Sequence, residues 1–131
     1  MKTLILHHDD CLRHDTGQRH VERPERVAAV LGAVSELPGI ELLPAPRATR
    51  EQLTLVHPAD YWDALLEAEP GGDNDRSLVA LDADTFMSPG SIDATLRGSG
   101  AACFAVDQVV AGKARNAFCV VRPPGHHALA N

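Results

Sequence analysis

A short apolar run, residues 117–121, leads directly into a loop that contains two prolines, a glycine and two histidines. A run of this length without polar alternation is typical of a strand covered on both faces, as in a parallel sheet between helices. The two prolines restrict the backbone and remove two N–H donors, and Gly125 permits a tight turn. The pattern therefore predicts a buried strand followed by a stiff loop that presents His126 and His127.

The rest of the chain alternates predicted strands and helices. Short apolar runs closed by polar or proline-rich loops indicate strands, and apolar residues at helical spacing indicate helices. The order predicts a layered α/β fold, a parallel sheet flanked by helices. The predicted elements are strand 3–6, helix 24–37, strand 40–43, a short helix with Thr49 and Gln52 in capping-box spacing, a helix from Pro58, a long helix from Ser88, and strand 117–121.

The long helix from Ser88 has a regular pattern of apolar and small residues. We expect one stripe of the helix to face the core, glycines to permit close packing, and Gly112 to end the helix. The stripe consists of Ile92, Leu96, Ser99, Cys103, Val106 and Val110.

The three cysteines are odd in number and lack CxxC spacing, which indicates reduced thiols rather than a disulfide framework. Cys103 and Cys119 lie in apolar segments, so Cys11 is the cysteine expected to reach solvent. A nucleophilic role for Cys11 stays open, although an exposed thiol is more often incidental.

Composition argues against nucleic acid as a direct partner. The chain has 131 residues, of which 44% are hydrophobic, and its 12 Lys and Arg stand against 18 Asp and Glu, for a net charge of -6. Such a chain has no obvious means of neutralising phosphates, so direct nucleic-acid binding is not expected. The apolar stretch at residues 3–6 is too short for a secretory signal or a membrane span, so the expected location is the cytoplasm.

The two histidines occupy the position where parallel α/β sheets place their ligands, just beyond the carboxyl end of a strand. The plain alternative is that His126 and His127 cap the next segment or lie at the surface. The stiff proline-glycine loop before them favours a functional role.

The segment Arg122-Pro123-Pro124-Gly125-His126-His127-Ala128 resembles the tandem-histidine motif of the zinc-dependent histone deacetylase superfamily, particularly its class II and bacterial members. Three further segments agree in order: residues 14–26 with the family's N-terminal loop and first helix, residues 84–91 with its substrate-rim loop, and residues 116–121 with the strand that carries the motif. The resemblance implies an arginase/deacetylase-like fold, with residues 1–131 as its N-terminal part.

The resemblance also implies roles for the two histidines. His127 corresponds to the general base that takes a proton from zinc-bound water as the water attacks an acetamide carbonyl. His126 corresponds to the histidine that stabilises charge or assists proton transfer. An imidazole suits this work because its ordinary pKa lies close to neutral pH.

Two more residues match functional positions of the family. Asp84 resembles the rim aspartate that accepts hydrogen bonds from substrate backbone amides; its alternative role is to cap the helix that begins near Pro89. Arg26 resembles the arginine of an internal channel, where a cation suits departing acetate. The alternative for Arg26 is a salt bridge with Glu22 or Glu25.

The match also has departures. Val21 stands where the family usually has proline, which is minor. The family's zinc ligands, an Asp-x-His pair and a further Asp, have no counterpart in these residues, and neither does its transition-state tyrosine or histidine. A catalytic zinc needs three protein ligands, so the resemblance implies that the isolated chain does not hydrolyse the acetyl-lysine or other acylated amine expected as substrate.

Two other hypotheses belong to different classes. One is a small metal-binding module built from the N-terminal loop. The other is a non-catalytic interaction protein that self-associates through an exposed sheet edge. The spacing of the candidate ligands in the metal-binding module matches no closed site. These ligands are His7, His8, Asp9, Asp10, Cys11, His14, Asp15 and His20.

Overall fold

The structure is a computed structural model, and it describes residues 2–71, 77–126 and 128–130. Strands and helices alternate along these residues. In chain order the elements are β1 Thr3–His7, α1 Asp10–Arg13, α2 Pro24–Val34, β2 Ile40–Pro44, α3 Arg50–Leu53, α4 Ala59–Ala68, β3 Val79–Ala80, β4 Phe86–Met87, α5 Ser91–Val110 and β5 Asn116–Cys119.

The main sheet has three strands in the order β2-β1-β5, and both pairs are parallel. Thr3 of β1 pairs with Ile40 on one side and with Asn116 on the other. The predicted layered parallel sheet is confirmed. Because all three strands run the same way, the loops that follow them emerge at one edge of the sheet.

Helices cover the two faces of this sheet unequally. Leu6 of β1 packs with residues of α5, and Ile5 packs on the opposite face with Val27 of α2. The expectation that both faces of the last strand are covered is wrong, because Phe118 of β5 is 49% exposed. The single helix α2 covers the central strand on that face and leaves this edge residue in solvent.

The buried stripe of α5 differs from the predicted one beyond Leu96. Val106 and Val110 are 61% and 81% exposed, while Gly100, Ala101 and Ala105 are buried. The predicted steps of four and three average the 3.6 residues of an α-helical turn, so the predicted stripe runs straight along one side of the helix. The observed buried residues do not follow one side, because Ile92 and Leu96 pack in a cluster with Trp62, whereas Ala101 and Ala105 pack in a second cluster with Leu6 of β1.

Close packing at Gly100 fixes which side of α5 faces inward. A Cβ atom at this position would lie 2.2 Å from the carbonyl oxygen of Pro46. The expectation that a glycine of this helix permits close backbone approach is confirmed. Gly112 has a φ of 70° just beyond the helix, as expected of a glycine that ends it.

Local helix signals are confirmed in part. Thr49 and Gln52 form the expected capping box of α3, and α4 begins directly after Pro58. The first long helix, α2, starts at Pro24 as predicted but ends at Val34 rather than Leu37. The segment after β1, expected to be a loop, includes the single helical turn α1.

Cys11 lies in that turn and corrects the expectation for the cysteines. It is 0% exposed, and burial raises the pKa of its thiol, so an exposed nucleophilic thiol at this position is excluded. Cys103 and Cys119 are the partly exposed ones, and all three are free thiols.

The described residues include no helix that is both long enough and apolar enough to cross a bilayer.

Candidate functional site

The loops that follow β1 and β5 start side by side at the carboxyl edge of the sheet. The backbone N–H of Val120 donates to the carbonyl oxygen of Leu6 at 2.8 Å. The Nδ1 atom of His7 lies 2.9 Å from the carbonyl oxygen of Val120. The loop that follows β5, called the histidine loop (residues 120–126 in the described part of the chain), therefore leaves the sheet directly beside the loop that carries residues 8–23.

Arg122 joins these two loops from the interior. It is 1% exposed, although arginine is rarely buried without a partner. Its Nε and Nη2 atoms each donate to one carboxylate oxygen of Glu22, both at 2.8 Å. Its Nη1 atom donates to the carbonyl oxygens of Cys11, at 3.0 Å, and of His14.

This arrangement fixes the start of the histidine loop. A bidentate guanidinium–carboxylate pair is directional, and in a buried setting it holds both partners in one orientation. Arg122 directly precedes the two prolines, so its side-chain contacts fix the start of the stiff segment that ends at His126. The sequence alone gave Arg122 no role and offered Glu22 only as a salt-bridge partner of Arg26. An arginine at the end of an apolar strand was the available sign of a buried partner.

A second buried group ties the loop after β1 to the N-terminus of α5. His14 is buried, and its Nδ1 lies 2.7 Å from Oγ of Ser91. Burial, together with the nearby guanidinium of Arg122, lowers the pKa of His14 to about 4. The ring is therefore neutral at pH 7. Ser88 extends the link, since its Oγ accepts the backbone N–H of Asp15 at 2.8 Å.

Asp84 lies on the surface and contacts the loop after β1 through a histidine. Its side chain is 91% exposed, and its Oδ1 lies 3.1 Å from Nε2 of His20. The helix-capping alternative is excluded, because the N-cap of α5 is Gly90. Phe86 packs edge-on against the ring of His20, with centroids 6.0 Å apart.

Arg26 is exposed and lines an open depression of about 350 Å³. Within the described part of the chain, neither carboxylate proposed as its partner pairs with it: Glu22 binds Arg122, and Glu25 lies 3.9 Å from Arg23. The other residues that line the depression are Gln18, Arg19, His20, Val21 and Arg23.

Of the two motif histidines, His126 is exposed, and His127 lies outside the described residues. The structure brings together Asp84 and His20, which sequence reasoning did not connect. It also places His20 in the depression that Arg26 lines. His20 thus connects Asp84 to the depression that Arg26 lines.

The metal-binding alternative has no cluster to support it. Among residues 2–71, 77–126 and 128–130, no group of three or more His, Cys, Asp and Glu side chains could hold a metal ion. The ligand types of the N-terminal loop are engaged separately: His7 with Val120, His14 with Ser91, and His20 with Asp84.

Comparison with known proteins agrees with this architecture. The family model described as the histone deacetylase domain matches residues 20–131. The solved structure titled "Crystal Structure of HDA15 HD domain" superposes with a TM-score of 0.80 at 24% identity, over 98% of this chain and 37% of that one. That likeness concerns the fold. Together, fold and sequence define a deacetylase-type α/β domain.

The chain belongs to the histone deacetylase family. A probable deacetylase of Archaeoglobus fulgidus is 34% identical over 98% of this chain and 35% of its own length. The histone deacetylase-like amidohydrolase of Pseudomonas aeruginosa is 35% identical over 84% of this chain and 28% of its own. The human polyamine deacetylase HDAC10 is 31% identical over 97% and 20%, respectively. The chain thus spans about a third or less of each of these relatives.

Proposed function

We propose that this chain forms the histidine-bearing part of a deacetylase that hydrolyses the acetamide of an acylated amine. The observation that carries the proposal is the family match over residues 20–131, which includes the loop that Arg122 anchors at the carboxyl edge of the sheet. The relatives named above as deacetylases or an amidohydrolase support the same reaction class.

The chemistry assigned to the chain is proton transfer. His127 takes a proton from the water that attacks the acetamide carbonyl, and His126 assists the transfer or stabilises the developing charge. The C–N bond then breaks, the amine leaves with a proton, and acetate is released. The buried contacts of Arg122 at the start of the loop support this assignment, since a base must be held in place to act.

Asp84 orients the substrate in this proposal. An exposed carboxylate can accept hydrogen bonds from backbone amides of a bound peptide. The Asp84 side chain is 91% exposed, and one of its oxygens, Oδ1, is paired with His20.

Arg26 is proposed to attract the departing acetate. It lines its depression together with Arg19 and Arg23, so the local potential is positive although the whole chain is acidic.

The family is generally zinc-dependent, and the described residues do not fit a zinc site by themselves, because they contain no group of three candidate ligands. The proposal therefore assigns no zinc ligand to them. It expects the 131-residue chain alone to be inactive.

The substrate is proposed to be an acylated amine, with acetyl-lysine in proteins and acetylated polyamines as the main candidates. A cytoplasmic location and the absence of direct nucleic-acid contact belong to the same proposal. Self-association remains a prediction; β5 lies at one end of the strand order, with Phe118 half-exposed.

The experiment is a measurement of acetate release from an acetyl-lysine peptide and from an acetylated polyamine, with zinc supplied. It compares the 131-residue chain with the longest polypeptide that its gene encodes around these residues. We expect hydrolysis by the longer product and none by the 131-residue chain. Hydrolysis by neither, when the longer product is folded and zinc-loaded, contradicts the proposal.

A further inference from the structure

We propose that His20 is a positioning residue that holds the carboxylate of Asp84 at the substrate rim. The inference rests on the role proposed above for Asp84. Its basis is a series of hydrogen bonds that begins at Arg122, at the start of the histidine loop. Arg122 binds the carboxylate of Glu22, the backbone N–H of Glu22 donates to His20, and His20 pairs with Asp84.

The two ring nitrogens of His20 have different partners, and these partners determine the tautomer. The Nδ1 atom lies 3.1 Å from the backbone nitrogen of Glu22, which can only donate. Nδ1 must therefore accept, and the ring proton resides on Nε2. The Nε2–H group is directed at Oδ1 of Asp84, 3.1 Å away. A neutral imidazole thus suffices to hold the carboxylate.

The backbone group that orients His20 is itself fixed. The Glu22 carboxylate binds the guanidinium of Arg122 through both oxygens at 2.8 Å. The carbonyl oxygen of Glu22 accepts a hydrogen bond from the hydroxyl of Thr16. Glu22 therefore has little freedom to rotate, and the ring of His20 is oriented from the same buried pair that secures the histidine loop.

The two partners differ sharply in exposure, as expected if the more buried residue positions the exposed one. The His20 side chain is 17% exposed, whereas that of Asp84 is 91% exposed. Phe86, two residues after Asp84, lies edge-on to the ring at an interplanar angle of 79°. His20 is thus packed, and Asp84 would otherwise rotate freely in solvent. One hydrogen bond to the imidazole lowers the entropy lost when a substrate amide binds the carboxylate.

The first test is the tautomer of His20 in the folded 131-residue chain, measured by nitrogen-15 NMR of the imidazole. The two ring nitrogens give distinct shifts when one is protonated. We expect the neutral imidazole to carry its proton on Nε2 and none on Nδ1. A ring protonated at Nδ1, or one that averages between tautomers, overturns the proposal whatever the activity of the protein.

The second test uses matched substitutions of His20. In His20→Gln the terminal amide nitrogen takes roughly the place of Nε2, while in His20→Asn the shorter side chain cannot reach Asp84. We expect His20→Ala and His20→Asn to weaken binding of an acetyl-lysine peptide about three- to ten-fold, as for loss of one charge-assisted bond at a solvated site. His20→Gln should restore most of this loss. His8→Ala is the control, since among the described residues the ring of His8 pairs with the nearby Asp10 and not with Asp84.

A double-mutant cycle shows whether His20 acts through Asp84. If it does, the double variant His20→Ala/Asp84→Asn binds the peptide no more weakly than Asp84→Asn alone. Additive losses overturn the proposal, and so does equal binding by the Gln and Asn variants.

If the wild-type protein binds no acylated peptide, the proposed function fails, and the positioning claim is judged on the backbone amide signals of residues 82–86. His20→Ala and His20→Asn should shift or broaden these signals, and His20→Gln should leave them close to wild type. Unchanged signals in all three variants overturn the positioning claim. If His20→Ala does not fold, the comparison of His20→Asn with His20→Gln carries the same test.

Discussion

Removal of the Arg122 guanidinium should be among the most destabilising single substitutions in this chain. In Arg122→Met, the Glu22 carboxylate, whose side chain is only 14% exposed, loses both of its 2.8 Å donors. The carbonyl oxygens of Cys11 and His14 lose a donor as well. Loss of one partner of a buried pair costs about 3–5 kcal/mol, because the other charge remains buried and uncompensated. That is a large share of the roughly 5–15 kcal/mol that stabilises a typical domain.

The chain supplies a matched control in the pair formed by Arg50 and Asp63. This pair is also bidentate, at 2.6 and 2.8 Å, but its side chains are 46% and 52% exposed. Water takes the place of the lost partner at such a site, so Arg50→Met should change the free energy of unfolding far less than Arg122→Met.

The assay is urea unfolding of the wild type and both variants, followed by circular dichroism and by the fluorescence of the single tryptophan, Trp62, which is buried. Comparable losses of the unfolding free energy in Arg122→Met and Arg50→Met would refute the argument from burial. A paired variant, Arg122→Met/Glu22→Leu, should recover part of the loss, since it leaves no buried charge alone.

Three further predictions concern packing, pH and thiol reactivity. Gly100→Ala should lower the melting temperature, because the new Cβ would lie 2.2 Å from a backbone oxygen, whereas Gly32→Ala, with nothing within 4 Å, should raise it. The pKa of His14 is lowered from 6.5 to about 4, so the unfolded chain binds a proton in that window that the folded chain does not. The unfolding free energy should therefore fall, by up to about 3 kcal/mol, as the pH is lowered from 6.5 to 4, and His14→Gln should flatten this part of the profile. Cys11 is fully buried and its thiol pKa is raised, so in the native state Ellman's reagent should modify it far more slowly than the partly exposed Cys103.

Features with a local cause were predictable from the sequence. Pro24 at the start of α2 and the capping box of Thr49 and Gln52 depend on residues a few positions apart, and both are confirmed. The parallel sheet followed from the alternation of apolar runs with helical patterns, which sets the layer order.

Features that depend on distant contacts were not predictable. Arg122 and Glu22 are 100 positions apart, so no spacing rule connects them. The burial of Cys11 results from the packing of α1 against α5 and α2, while a polar neighbourhood in the sequence suggested exposure. The true stripe of α5 is determined by the approach of Pro46 to Gly100, a contact between two segments that the sequence alone does not bring together.

In the candidate site, too, the locally determined feature was predictable from the sequence and the distant contact was not. The histidine loop and its position beyond β5 could be predicted, because strand polarity fixes where such a loop emerges. The partner of Asp84 could not, since His20 lies 64 positions away and meets it only through the fold.

The most direct test of the central claim is the rate of acetate release by the complete gene product in which His127 is replaced by alanine. We expect His127→Ala to abolish nearly all hydrolysis while the protein remains folded, and His8→Ala to retain the wild-type rate. Undiminished acetate release by the His127→Ala protein would contradict the claim that this loop carries the catalytic base.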